Sequence, residues 1–470
     1  MPLRSRTKGF VLVVLILLLI VVGSVSYLGW RQSVPPPAVT SQAPRMLGQK
    51  TAVPMTLEAA HGNVAFVEVR VVQGGKQATV LKQEGNLGRR AELPATLEIA
   101  NLGLREGPAT IEVRARDDFW RPLRLPEKVV ASWPVTIDLT PPKIEVLAAT
   151  GYYSPGGVSL VAFRVDGAAK AEVKVGDVSF PSFPSGDATR GARVALLALP
   201  YDYNGSALAI RAVDEAGNAA TRGIPGELKP RKFPHDTIEI KDAFLQAKIP
   251  ELLPQHPPDK PLIDAFLVVN RDQRKEAERQ KRVLAAKTAD RPLWEGAFVQ
   301  PRNTKVFANF AETRTYVYQG KEVDTQVHYG YDLASTKHSP IPAANKGTVV
   351  FAGPLSIYGN AVVVDHGLGL QTLYGHLSTI DVKVGDSVDK GHELGKSGNT
   401  GLAIGDHLHY EVLVNGISVT PLAWWDAKWM RDRVNKPLKD AGLPEIAGLE
   451  RGGTTSDEDK PARPAARKRR

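Results

Sequence analysis

The first polarity pattern along the chain is a long apolar run. From Gly9 to Trp30 no side chain is charged, and from Val11 to Val22 none is polar. About 22 such residues suffice to span a bilayer as a helix. Arg4, Arg6 and Lys8 precede the run, which favours an N-terminus on the cytoplasmic side. Gly23, Ser24 and Ser26 are small enough for a signal peptidase. The run is nevertheless longer than a usual signal core, and Tyr27 and Trp30 suit a membrane interface. The expectation for 1–31 is a cytoplasmic stub and an uncleaved single-pass anchor in the inner or cytoplasmic membrane. The bulk then faces the periplasm or the outside.

Pro35, Pro36 and Pro37 open a stretch, 32–51, that reads as a stiff spacer. The rhythm then changes to period two. Val64–Val72, Ala95–Ile99 and Ala109–Ala115 alternate apolar and polar residues between Gly, Asn and Pro, which predicts an antiparallel β-sandwich over 52–139. Thr140-Pro-Pro opens a second copy over 140–228. In it Leu208-Ala-Ile-Arg-Ala-Val-Asp214 aligns with Ile111-Glu-Val-Arg-Ala-Arg-Asp117. The Thr-Pro-Pro start and the closing turn Asp214-Glu-Ala-Gly-Asn218 resemble bacterial immunoglobulin-like modules. Such modules act as partner-binding units, as modulators of a catalytic domain or as passive spacers.

Between 229 and 293 the period becomes helical. Ile240 to Leu253 is a short helical segment, broken by Pro254, Pro257, Pro258 and Pro261. Asp264 to Lys287 carries Phe266, Val269, Val283 and Leu284 among dense charge. It reads as a mostly solvated linker helix, a charged spacer in preference to a layer lying over or beside the C-terminal domain. From 294 to 425 short runs rich in Val, Ile, Tyr and Gly predict a compact antiparallel sheet. Beyond it, over 426–470, come a weak helix at Ala427–Ala441 and a polar tail ending in Arg463–Arg470, read as disordered. The fold class expected is therefore mainly β, with a transmembrane helix, two immunoglobulin-like sandwiches, a helical linker and a C-terminal antiparallel domain.

The composition narrows the partners. A net charge of +10 over 470 residues admits polyanions or anionic lipid. No helix clusters basic residues among aromatics, which argues against nucleic acid. With 0 Cys, disulfides and thiol chemistry are excluded.

The candidate chemistry lies in the C-terminal domain. Seven of the 10 histidines fall between His328 and His409. In a strand, His407 and His409 project from one face while Leu408 points the other way. His328 and Asp332 flank Gly330; a helix or a bent loop-to-strand segment would bring the two together. Without Cys, imidazole and carboxylate ligands suit zinc, and three of them leave an open fourth position for catalysis.

These residues resemble the lysostaphin and LytM-type zinc metallopeptidases. The resemblance runs through His328-x-x-x-Asp332, Tyr358-Gly-Asn, Val364-Asp-His-Gly, Leu373-Tyr-Gly-His376-Leu, Val384-Gly-Asp-x-Val-x-x-Gly, Gly398-x-Thr-Gly and His407-Leu-His409-Tyr-Glu. It implies His328, Asp332 and His409 as ligands of Zn2+, with His376 and His407 as catalytic residues. It also implies a murein endopeptidase acting on the stem peptides of peptidoglycan. Arg314 and Tyr316 are expected beside the substrate groove. Asp406 stands where the family often has Pro. Glu411 shares the strand face of His407 and His409, which would suit support of a ligand, but it reads as a surface residue; His366 and His392 read as structural, and His338 as part of a turn. A competing reading is a non-catalytic cell-wall scaffold or activator of other hydrolases, which substituted ligands would favour; none is substituted. An adaptor of the biotinyl-like type is disfavoured by His407-Leu-His409.

Overall fold

The computed structural model describes residues 4–123, 127–186 and 191–449, so the basic tail lies outside the described residues. The protein is mainly β, with an apolar N-terminal helix and a β domain towards the C-terminus. It divides into two compact units, one built on Met1–Pro142 with two short later stretches, the other on most of the chain from Lys143 onward.

In the first unit the apolar run forms part of a helix, Arg4–Ser33, with its apolar side chains exposed. The period-two segments after it build two sheets. A three-stranded sheet joins Ala38–Ser41, Lys50–Glu58 and Arg90–Glu98; a five-stranded sheet centres on Gly107–Asp117 and Val64–Gln73. Their facing apolar positions, among them Leu57, Val69, Leu97 and Ile111, make a shared core, as in a β-sandwich. Ala38–Ser41 and Met46–Leu47 come from the stretch read as a spacer, which here adds a strand to each sheet.

The second unit contains a sheet of Phe183–Pro184, Ala192–Ala198, Val158–Asp166 and Lys143–Ala149, and another that includes Val178–Pro181, Lys170–Val175 and Leu208–Val213. The segment read as a helical linker begins with a strand, His235–Ile240, paired in parallel with Glu312–Tyr318. The helices Asp242–Leu252, Leu262–Val268 and Arg274–Ala285 come next, the last two joined by a wider helical turn at Val269–Gln273.

The helices lie on an eight-stranded sheet whose centre is Leu408–Val414, flanked by Leu370–Leu377 and Tyr331–Ala334. Both faces of that strand are covered. Leu408, Tyr410, Val412 and Val414 join a core with Phe298, Trp424 and Trp425. Leu413 joins a different core with Phe266, Val269, Ala277 and Leu284 of the helices. The helical segment is thus a layer of the domain rather than a solvated linker. Val283 is on its outer side, at 55% exposure, whereas Lys281 is on the inner side, at 0%.

Candidate metal centre

His328 ends the strand Lys321–His328, and Asp332 lies in the next strand, Tyr331–Ala334. The link between them is a bent loop-to-strand segment, not a helix. Gly330 is required at the bend, because a Cβ there would come within 2.6 Å of the Tyr410 carbonyl oxygen and 2.7 Å of His409 Nε2. Asp332 is paired in register with His409 across the sheet. The alternation that sends Leu408 and Tyr410 to one core sends His409 and Glu411 to the other face.

Three ligand-type atoms meet there. His328 Nε2 is 2.9 Å from Asp332 Oδ1 and 3.1 Å from His409 Nδ1, and His409 Nδ1 is 2.9 Å from the same Oδ1. Ligands about 2.0–2.1 Å from a tetrahedral zinc sit roughly 3.3 Å apart, so a small expansion would turn this triangle into one face of a zinc tetrahedron. The outer partners set which atoms point inward. His328 Nδ1 donates to the Asn309 carbonyl at 2.9 Å, which leaves Nε2 bare. His409 Nε2 donates to Glu411 Oε1 at 2.9 Å, which leaves Nδ1 bare. Asp332 Oδ2 accepts from Arg314 Nη2 at 3.0 Å. Two bare nitrogens and a carboxylate oxygen aimed at one point repel one another unless a cation lies between them. The donor set therefore fits zinc.

The two other histidines flank this triangle. The rings of His376 and His407 are 4.8 Å apart, and His376 is 5.7 Å from His409. Each gives its Nδ1 hydrogen to a carbonyl, Thr400 at 2.8 Å for His376 and Gly405 at 2.7 Å for His407, which makes Nε2 the atom of each that can take a proton; that of His407 is 3.5 Å from Asp332 Oδ1. His376 has φ +63°, a left-handed conformation that costs about 1–3 kcal/mol in a non-glycine residue and clusters at functional sites.

The electrostatics follow from burial. Burial pushes His328 down to about 4 despite the Asp332 charge. It also holds His376 well below the usual imidazole range, helped by His407 and His409. For Asp332 burial works upward, but the neighbouring His328, His407 and His409 outweigh it and hold the carboxyl well down. His409 goes up, since its contacts with Asp332 and Glu411 outweigh burial.

All five expected site residues line one groove of about 610 Å³, together with Arg314, Tyr316, Phe307, Tyr358 and Ile404. Asp406 closes its turn by accepting from Ser397 Oγ at 2.6 Å and the His338 amide at 3.2 Å. His366 is away from the triangle, fully buried between the Lys346 carbonyl and Thr372 Oγ1. His392 is exposed. Glu411 corrects the surface reading: it has 0% exposure and holds a candidate ligand. The signal was present, since residue 411 shares a strand face with 407 and 409; what the sequence lacked was the helix that covers this face. The contact of Arg314 with Asp332 was likewise invisible, because the two belong to different sheets.

Residues 326–421 match the family described as Peptidase family M23. Over 98 residues the chain is 40% identical to the DD-carboxypeptidase/endopeptidase Mpg of Neisseria meningitidis serogroup B, covering 21% of this chain and 23% of that protein. Over 95 residues it is 42% identical to the peptidoglycan DD-endopeptidase ShyA of Vibrio cholerae, covering 20% and 22%. The match thus spans less than a quarter of these relatives' length. Among solved structures, the catalytic domain of the antimicrobial peptidase lysostaphin from Staphylococcus simulans is 30% identical, with a TM-score of 0.22 over 25% of this chain and 90% of that one.

Proposed function

From the premise that residues 326–421 are a Peptidase family M23 domain, we propose that the protein is a zinc metalloendopeptidase that hydrolyses peptide cross-links of bacterial peptidoglycan. The observation that carries this reading is the convergence of His328, Asp332 and His409 on one point beside two further imidazoles whose Nδ1 hydrogens are held by carbonyls. The groove volume falls within the roughly 300–1,000 Å³ of ordinary ligand clefts. The relatives named as acting on peptidoglycan support the substrate class.

His328, Asp332 and His409 would hold the metal, with Arg314, Asn309 and Glu411 fixing their orientation. Zinc supplies Lewis acidity, which polarises a carbonyl and acidifies water. The chain's own part is proton transfer. Either His376 or His407 accepts, at Nε2, the proton released as water oxygen bonds to the scissile carbon. The C–N bond then breaks and that proton passes to the departing amine. The partner imidazole, its Nδ1 hydrogen held by a carbonyl, orients the water or the carbonyl oxygen. The low proton affinity of His376 keeps it in the basic form at neutral pH.

The 25-residue span Gly9–Ser33 contains a stretch of mean hydropathy 3.0, which supports an anchored protein. The decisive experiment is His409→Ala in the full chain, read by zinc content and by mass spectrometry of digested sacculi. Loss of both is expected. Unchanged hydrolysis would overturn the assignment, and a metal-free protein that still stimulates another hydrolase would replace it with the activator reading.

A further inference from the structure

The helix Arg274–Ala285 lies outside the stretch matched by the family, yet it sends a fully buried cation to the metal centre. Lys281 Nζ is 2.9 Å from Glu411 Oε2, 3.0 Å from Ser418 Oγ, 3.1 Å from Tyr358 Oη and 2.6 Å from Glu278 Oε1. An ammonium has three hydrogens to donate, so this site saturates it. Taking a lysine out of water costs several kcal/mol, and only close pairing with carboxylates offsets it.

Glu411 is equally saturated. Its Oε1 accepts from His409 Nε2 at 2.9 Å and from Tyr358 Oη at 2.5 Å. Its Oε2 accepts from Lys281 and from Ser418 Oγ at 2.7 Å. Every oxygen lone pair is spoken for, so the carboxylate plane has one orientation. That plane sets the ring of His409 and keeps the hydrogen on Nε2, with Nδ1 bare towards His328 and Asp332.

The helix is seated for this task. A Cβ on Gly416, in the turn after Leu408–Val414, would come within 2.7 Å of Arg282 Cα and 2.8 Å of the Lys281 carbonyl oxygen. Gln371 Nε2 donates to the Leu284 carbonyl at 3.1 Å, and Ser356 Oγ to the Gln273 carbonyl at 2.9 Å. Leu284 and Ala277 pack in one core with Leu373 and Leu413.

We propose that Lys281 is a positioning residue of the metal centre, acting through Glu411 on His409, so that the helix Arg274–Ala285 is a working part of the zinc site. This rests on the reading of His328, Asp332 and His409 as zinc ligands. The matched stretch alone would then hold zinc more weakly than the whole chain does.

The test is a double-mutant cycle on the detergent-solubilised full chain: wild type, Lys281→Met, Glu411→Gln and both together. Zinc affinity is read by competition with a chelating dye, and folding by circular dichroism. Lys281→Met is expected to weaken zinc on the order of tenfold, the usual scale for an outer partner of a ligand. In the Glu411→Gln background the same change should weaken it no further. A folded Lys281→Met protein with wild-type zinc affinity would overturn the proposal, as would two losses that multiply. If Lys281→Met does not fold, the double variant, which removes the buried pair together, decides. Affinity like that of Glu411→Gln and below wild type supports the proposal; wild-type affinity, or a further loss beyond Glu411→Gln, overturns it. Wild type that binds no zinc would instead sink the ligand reading itself.

Discussion

Two strands show how differently this molecule treats polar residues. Arg90–Glu98, in the first sandwich, alternates strictly between exposed and buried positions; its polar residues are outside and Leu93 and Leu97 inside. Leu408–Val414 is buried at every position, including His409 and Glu411. The first strand has one solvated face. The second has a layer on each side, so its polar residues are desolvated and each needs a partner. In the sandwich, side-chain chemistry reports only which way a residue points. In the eight-stranded sheet, a buried polar residue reports which partners other elements bring to it.

The largest effect expected from breaking this contrast is at the ligands. Asp332→Ala should lower hydrolysis of sacculi about a thousandfold or more and release zinc, since the Lewis acid contributes several kcal/mol. His376→Ala should lower kcat by about 10²–10⁴-fold, the range for a lost proton-transfer group, with zinc content unchanged by metal analysis. Glu411→Ala removes one partner of a buried ion pair and should cost about 3–5 kcal/mol in denaturant unfolding. That overlaps the about 2–5 kcal/mol expected for Leu97→Ala in the sandwich core.

A pH titration sharpens the same contrast. Burial lowers His366 from 6.5 to about 4 in the folded state. As pH falls, the unfolded chain takes up this proton first, so stability is full above about pH 6.5 and declines towards pH 4. The loss is about 3 kcal/mol, of which His366→Gln should be relieved. Melting temperature against pH for the two proteins checks it; parallel curves would refute it. The smallest effect belongs to Glu92→Ala, on the solvated face of Arg90–Glu98, where the change should stay within about 0.5 kcal/mol.

Much of this organisation is carried by local pattern. The apolar run, the period-two sandwich strands, the proline break before residue 262 and the histidine-rich β domain all depend on neighbours in sequence. The groove was also legible, because His407-Leu-His409 shares a strand face and Gly330 permits a sharp bend next to His328. The spacer reading failed at Ala38–Ser41 because pairing with Lys50–Glu58, a non-local event, makes it a strand. The solvated-helix reading failed at Lys281 for a related reason. Its charge predicts water, and a dry site becomes tolerable only when Glu411, 130 residues away, joins Glu278 on the same helix as its partner.

By itself, then, the sequence determined which residue types could bind a metal and where chain segments would be helical, extended or long and apolar, since these depend on side-chain chemistry and spacing. Tertiary structure alone decided which charges were buried. A carboxylate or ammonium leaves water only when an opposite partner meets it, and for Glu411, Lys281, Arg314 and Asp332 those partners arrive from other strands and from a helix that no local pattern ties to them.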